Sequence, residues 1–169
     1  MNKTLLTMGT LAALLLSACG GQNETKPAES APVPAATSEA PVGSAKAAVE
    51  ERERLMDIFK DAASIMGKMI KGETPFDAAA FQAAADSMAE NADKPWEHYT
   101  EESAKEESDA KPEVWSKPEE FKQAAEKFVA ATVALKTAAA EGNLEAVKKP
   151  FGDVGQSCKA CHDSFRVKN

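Results

Sequence analysis

The sequence predicts an all-α protein folded as an antiparallel four-helix bundle. Three observations carry this. Residues 47–169 hold long alanine-rich stretches with few β-branched residues. No segment alternates apolar and polar residues as a strand would. Four amphipathic stretches are joined by two short links and one long one, the connectivity of an antiparallel bundle.

The chain has 169 residues, and residues 1–18 read as a secretory signal rather than part of the fold. Asn2-Lys3 gives a charged start and residues 4–16 form an apolar run, too short to span a bilayer stably. Leu16-Ser17-Ala18-Cys19 then resembles the cleavage pattern of bacterial lipoproteins. That resemblance implies a mature chain starting at a lipidated Cys19, attached to the membrane by its acyl chains alone. Gly20 after it resembles an outer-membrane sorting signal, so the expected location is the periplasmic side of the envelope. Residues 20–46 lack Phe, Trp, Ile and Leu and are rich in Ala, Pro, Glu, Ser and Thr. Such a segment cannot bury enough surface to offset its ordering entropy. It reads as a tether with a reach of roughly 30 Å.

Residues 47–169 then form one domain, of ordinary single-core size. The first helix is expected from about Lys46 to Lys71. Val49, Arg52, Met56, Phe59, Ala63, Met66 and Ile70 recur at three- and four-residue steps, and Gly72 and Pro75 stop it. The second is expected to open with Thr74 as N-cap and Pro75 at its first position. Phe76, Ala80, Phe81, Ala84 and Met88 form its apolar face, and it ends near Asn91. Residues 92–115 are a long connection, expected to be functional or packed on itself. Ser116-Lys117-Pro118-Glu119 has capping-box spacing and opens the third helix, with Phe121, Ala125, Phe128, Val129, Thr132 and Leu135 as its stripe. Gly142-Asn143 closes it and caps a fourth helix from about Leu144 to Val167. Pro150 inside that helix predicts a kink or a break, with a fresh start after Gly152 or Gly155. The phenylalanines, Trp96 and Trp115 are expected in the core.

The fourth helix carries the chemistry. Cys158-Lys159-Ala160-Cys161-His162 is C-x-x-C-H, the attachment signal for haem c. Two thiols at i and i+3 share one helix face, so both can form thioethers to the haem vinyl groups, and the next residue aims its imidazole at the iron. A thioredoxin-like pair belongs in an α/β pattern, and none is visible. A zinc site needs about four ligands, and His98 is the only other histidine. His98 reads as an exposed loop residue. No methionine follows Met88, so any sixth protein ligand comes from the first two helices or from His98. Charge excludes another class. Removing residues 1–18 takes one of 20 basic residues, Lys3, and none of the 27 acidic ones. A domain this acidic is not expected to bind nucleic acid and suits basic protein partners.

The domain resembles cytochrome c′, the class II c-type cytochromes. The resemblance runs through Asp109-Ala-Lys-Pro-Glu-Val-Trp115, Phe121-Lys-Gln123, Phe151-Gly-Asp-Val-Gly155, Ser157-Cys-Lys-Ala-Cys-His-Asp163 and Phe165-Arg166. Arg52 four residues before Met56, and Lys71-Gly72 followed by Pro75-Phe76-Asp77, fit as well. It covers residues 47–169. It implies one haem c near the C-terminal end of the bundle, with five-coordinate iron, and usually a homodimer through the first two helices. It further implies binding of nitric oxide, in some members carbon monoxide, and poor binding of oxygen. Nitric oxide scavenging and electron transfer are the implied roles, so a binding and electron-transfer protein is expected rather than an enzyme.

Carried over by position, the resemblance makes Met56 the distal residue and puts Arg52 and Glu53 at the haem edge, Arg52 near a propionate. Asp109 becomes a haem contact, and Arg166, four residues after His162, lies beside the proximal face. Two have a plainer reading: Arg52 as a solvated helix charge, Arg166 as a partner of the helix dipole. Met56 stays open between an apolar wedge beside free iron and a thioether sixth ligand in a low-spin electron-transfer cytochrome. A structural lipoprotein with an accidental motif would carry no covalent haem.

Overall fold

The computed structural model describes residues 43–168. The expected signal at 1–18, the lipidated Cys19 and the tether up to residue 42 lie outside the described residues. Among the described residues there are five α-helices: α1 (Ala45–Ile70), α2 (Ala78–Asn91), the single turn α3 (Glu113–Ser116), α4 (Pro118–Ala139) and α5 (Leu144–Phe165). Among the described residues there is no strand, and no helix is long and apolar enough to cross a membrane. The four long helices form the bundle. α1 packs on α2, α2 on α4 and α4 on α5.

Local chemistry sets the ends. Ser44 caps α1, its side chain accepting from Ala47 N at 3.1 Å. Gly72 at φ +74° then turns the chain, a backbone that side-chain-bearing residues rarely adopt. The expected start of α2 at Thr74 and Pro75 is corrected. Asp77 is the N-cap, its carboxylate accepting from Ala80 N at 3.0 Å. Two forces favour the later start. Aspartate outranks threonine as a cap, and Phe76 before the cap packs on Phe81, ring centroids 5.6 Å apart, as a hydrophobic staple.

The capping box at Ser116 is also corrected. Ser116 closes α3, its N–H bonded to Pro112 O at 3.0 Å. Pro118 drives Lys117 out of helical geometry (φ −130°, ψ 57°) and takes the first helical position itself. Asn143 caps α5 as expected, accepting from Glu145 N at 2.9 Å. The break at Pro150 does not occur: α5 runs through it, and neither Gly152 nor Gly155 has positive φ. Proline removes one backbone bond there, while Val147 and Val154 on either side are 0% and 1% exposed and hold the helix to the core.

The buried face of α1 is wider than its predicted stripe. Leu55, Ala62 and Met69 are buried beside Val49, Arg52, Phe59 and Met66. Two apolar clusters result. The larger is built on Phe59, Met66, Phe81, Met88, Leu135 and Val154. The smaller joins Val114, Phe121 and Phe165. Trp96 packs against both.

Residues 92–117 do pack on themselves. They hold two 3₁₀ segments, Lys94–His98 and Ser103–Lys105. Trp96 Nε1 donates to Ala92 O at 2.8 Å, and Trp115 Nε1 to Tyr99 O and Thr100 O, each at 3.0 Å. Beyond α5 the chain turns extended and is clasped to this connection. Lys111 N donates to Phe165 O at 2.9 Å and Val167 N to Asp109 O at 2.8 Å, around an isolated antiparallel bridge between Ala110 and Arg166.

Candidate functional site

α1 and α5 meet where the ring of Phe151 lies over Gly67. Between the middle of α1 and the C-terminal half of α5 lies a cavity of about 600 Å³. All eight residues nominated from the sequence as haem-binding line it: Arg52, Glu53 and Met56 from α1, Asp109 from the connection, Cys158, Cys161 and His162 from α5, and Arg166 beyond it. Helical periodicity explains the α5 set, since positions i, i+3 and i+4 share a face. The two thiols straddle the two apolar clusters, Cys158 packing on the larger and Cys161 on the smaller.

Cys158 and Cys161 form no disulfide with each other. Burial raises the Cys158 pKa. Burial, then the neighbouring Cys158, pushes Cys161 up to about 11. Both stay protonated at neutral pH, the state that can add S–H across a vinyl group. Remaining burial, then the Arg166 guanidinium, lowers the His162 pKa against the opposing pull of Asp163. A neutral imidazole keeps its nitrogen lone pair for a metal.

Two residues weighed separately in the sequence prove to be partners. Arg166 donates to Asp109 Oδ2 from Nη2 at 2.8 Å and Nε at 3.3 Å. The pair is half-exposed and contributes about 1 kcal/mol at most, but it fixes the cavity rim where the C-terminal clasp forms. Arg52 is no solvated charge. It is 2% exposed, and its Nη1 donates to Ser103 Oγ at 2.8 Å and His98 O at 3.2 Å, its Nη2 to Ser108 Oγ at 2.9 Å. Glu53 is exposed at the rim. His98 is partly buried rather than exposed in a loop, and Glu97 lies 3.7 Å from its Nε2.

Sequence reasoning placed the aromatic residues in the core. Several of them also wall the cavity: Phe59, Trp96, Phe121, Phe128 and Phe165. It missed Tyr99 as a lining residue. The signal available was its place beside Trp96 in an over-long connection.

The donors suit one kind of occupant. Among the described residues no group of three or more His, Cys, Asp or Glu side chains is placed to hold a bare ion. Two thiols and one imidazole on one helix face, an apolar wall and cations at the edge suit a macrocycle with its own metal and carboxylates. The volume lies within the range of cofactor pockets, roughly 300–1,000 Å³. Fold and cavity thus define a class, a helical bundle built to hold haem c.

Comparison with known proteins gives the family. The model of the family Cytochrome C′ matches residues 47–166. Cytochrome c′ of Alcaligenes xylosoxydans xylosoxydans is 36% identical over 121 residues, spanning 72% of this chain and 94% of that protein. A solved nitric oxide complex of a variant of cytochrome c′ from Alcaligenes xylosoxidans superposes with a TM-score of 0.69 at 35% identity, covering 75% of this chain and 98% of that one. A carbon monoxide complex of another variant matches with the same TM-score, identity and coverage. The chain belongs to the cytochrome c′ family and carries one covalent haem c with its iron.

Proposed function

We propose that this protein binds nitric oxide at a five-coordinate haem iron, with Cys158 and Cys161 as the attachment residues and His162 as the protein ligand. When bound, the haem supplies an iron able to take a diatomic gas. The observation that carries the reading is the wall facing that ligand. α1 lines it with Met56, Phe59 and Ala63, side chains without a hydrogen-bond donor, while its donors Arg52 and Lys60 line the same cavity beside them. Oxygen needs such a donor to be held, while nitric oxide does not. The nitric oxide and carbon monoxide complexes of the related proteins support the same reading.

The same chain exchanges electrons with basic partner proteins drawn to its acidic surface, and that exchange slows as salt rises. It pairs with a second copy through α1 and α2, where Ile65 is 47% exposed. Lipid on Cys19 holds it on the periplasmic side of the envelope, at the outer membrane.

The test is the absorption spectrum of the ferric and ferrous protein at neutral pH, before and after nitric oxide. A high-spin spectrum that changes with the gas is expected, and Met56→Leu leaves the spin state unchanged. A low-spin spectrum that Met56→Leu converts to high-spin would show the thioether on the iron and replace gas binding with electron transfer.

A further inference from the structure

Tyr99, the single tyrosine of the chain, enters the cavity from the connection. Its ring is fixed on several sides. Phe121 stands edge-on with centroids 4.9 Å apart, and Trp96 and Trp115 each lie at 6.4 Å. The Arg52 guanidinium carbon sits 4.5 Å from the ring centroid. Tyr99 lines one cavity with Arg52 and Glu53 of α1 and with Cys161 and Arg166 of the opposite wall. Its hydroxyl is not among the buried atoms left without a partner; Tyr99 is only partly buried and lines the cavity, where an occupant can supply the partner that tyrosine hydroxyls as a rule find.

Arg52 also has bonding capacity left. Its three hydrogen bonds use both protons of Nη1 and one of Nη2, leaving Nε–H and one Nη2–H. No carboxylate lies within ion-pair distance of it among the described residues. A buried charge ordinarily has an opposite charge or a full set of hydrogen bonds. A phenol that can donate and a cation without an anion line one cavity. A carboxylate answers both, and the haem that this family carries brings its own.

We infer that Tyr99 is a haem-binding residue whose hydroxyl donates a hydrogen bond to the haem carboxylate paired with Arg52. The inference is independent of gas binding and rests on haem attachment through Cys158 and Cys161. A cation and a neutral donor both favour the ionised carboxylate and hold its proton affinity low. A negative charge near iron favours the ferric state, so the reduction potential drops as pH rises through the titration of that carboxylate.

The experiment measures the midpoint potential of the holoprotein from about pH 4 to about 9, for the natural chain and Tyr99→Phe. Phenylalanine keeps the ring and its contacts and removes the hydroxyl alone. The break in potential should move upward by about one pH unit, a tenfold gain in proton affinity, with covalent haem content unchanged. Unchanged haem content with a break at the same pH overturns the inference, whereas lost covalent haem would overturn the attachment on which it rests. A second measurement avoids substitution. Infrared difference spectra between the two redox states, on protein labelled with ¹³C in its one tyrosine ring, should show a label-sensitive phenol band. A spectrum without one overturns the inference as well.

Discussion

Burying Arg52 takes its guanidinium out of water, and that loss lowers its pKa. Two seryl oxygens, one carbonyl and the face of Tyr99 replace the water. They tie the connection to α1 at the cavity edge. Tyr99 responds to burial in the opposite direction. Burial pushes its pKa up from 10.0 to about 12. The unfolded chain therefore loses the phenolic proton first as pH rises. Stability from this group is complete below about pH 10 and is lost as pH climbs toward 12, by about 2–3 kcal/mol in all. Urea midpoints taken at about pH 9 and pH 11.5 should show the fall, and Tyr99→Phe should remove that part of it. Arg52 was legible from sequence because a charge stood within an apolar helical stripe. The partners of Arg52 and Arg166 were not, since Ser103, Ser108 and Asp109 reach them through a connection without periodicity.

At the level of elements, the helices were readable and their ends less so. Apolar recurrence located all four long helices. Thr74, Ser116 and Pro150 misled because each local signal met a stronger neighbour: the Asp77 cap with its Phe76 staple, the bonds that hold Ser116 in α3, and the burial of Val147 and Val154. The contact between α1 and α5 was not legible either, because it depends on Phe151 lying over Gly67. That contact has a measurable consequence. A Cβ on Gly67 would sit 3.5 Å from Phe151 Cζ, an ordinary contact distance. Glycine inside a helix costs about 1 kcal/mol relative to alanine. Gly67→Ala should therefore stabilise the domain by about 0.5–1 kcal/mol in denaturant titration, with the haem spectrum unaltered. A loss of stability would mean that Phe151 cannot accept the added methyl group.

For the whole molecule, the order of parts along the chain matters as much as the parts. The haem motif and the acidic surplus are short-range or compositional signals, so both could be read directly. The cavity could not, because its two walls come from the first and last helices of the domain. With the proposed anchor at Cys19, Cys19→Ser should shift the protein from the membrane fraction to the soluble fraction without changing its haem spectrum. Retention in the membrane fraction would place the attachment elsewhere. The clasp between residues 109–111 and the end of α5 bears on the protein's wear in the cell. A proteolytic cut between Phe165 and Arg166 would part α5 from the segment of the clasp that Arg166 and Val167 form. Such a cut takes away the bonds that Arg166 and Val167 make to Asp109 while leaving Cys158, Cys161 and His162 in place. Molecules cut there would stay red and yet hold their pocket more loosely, so colour alone is a poor gauge of intact protein.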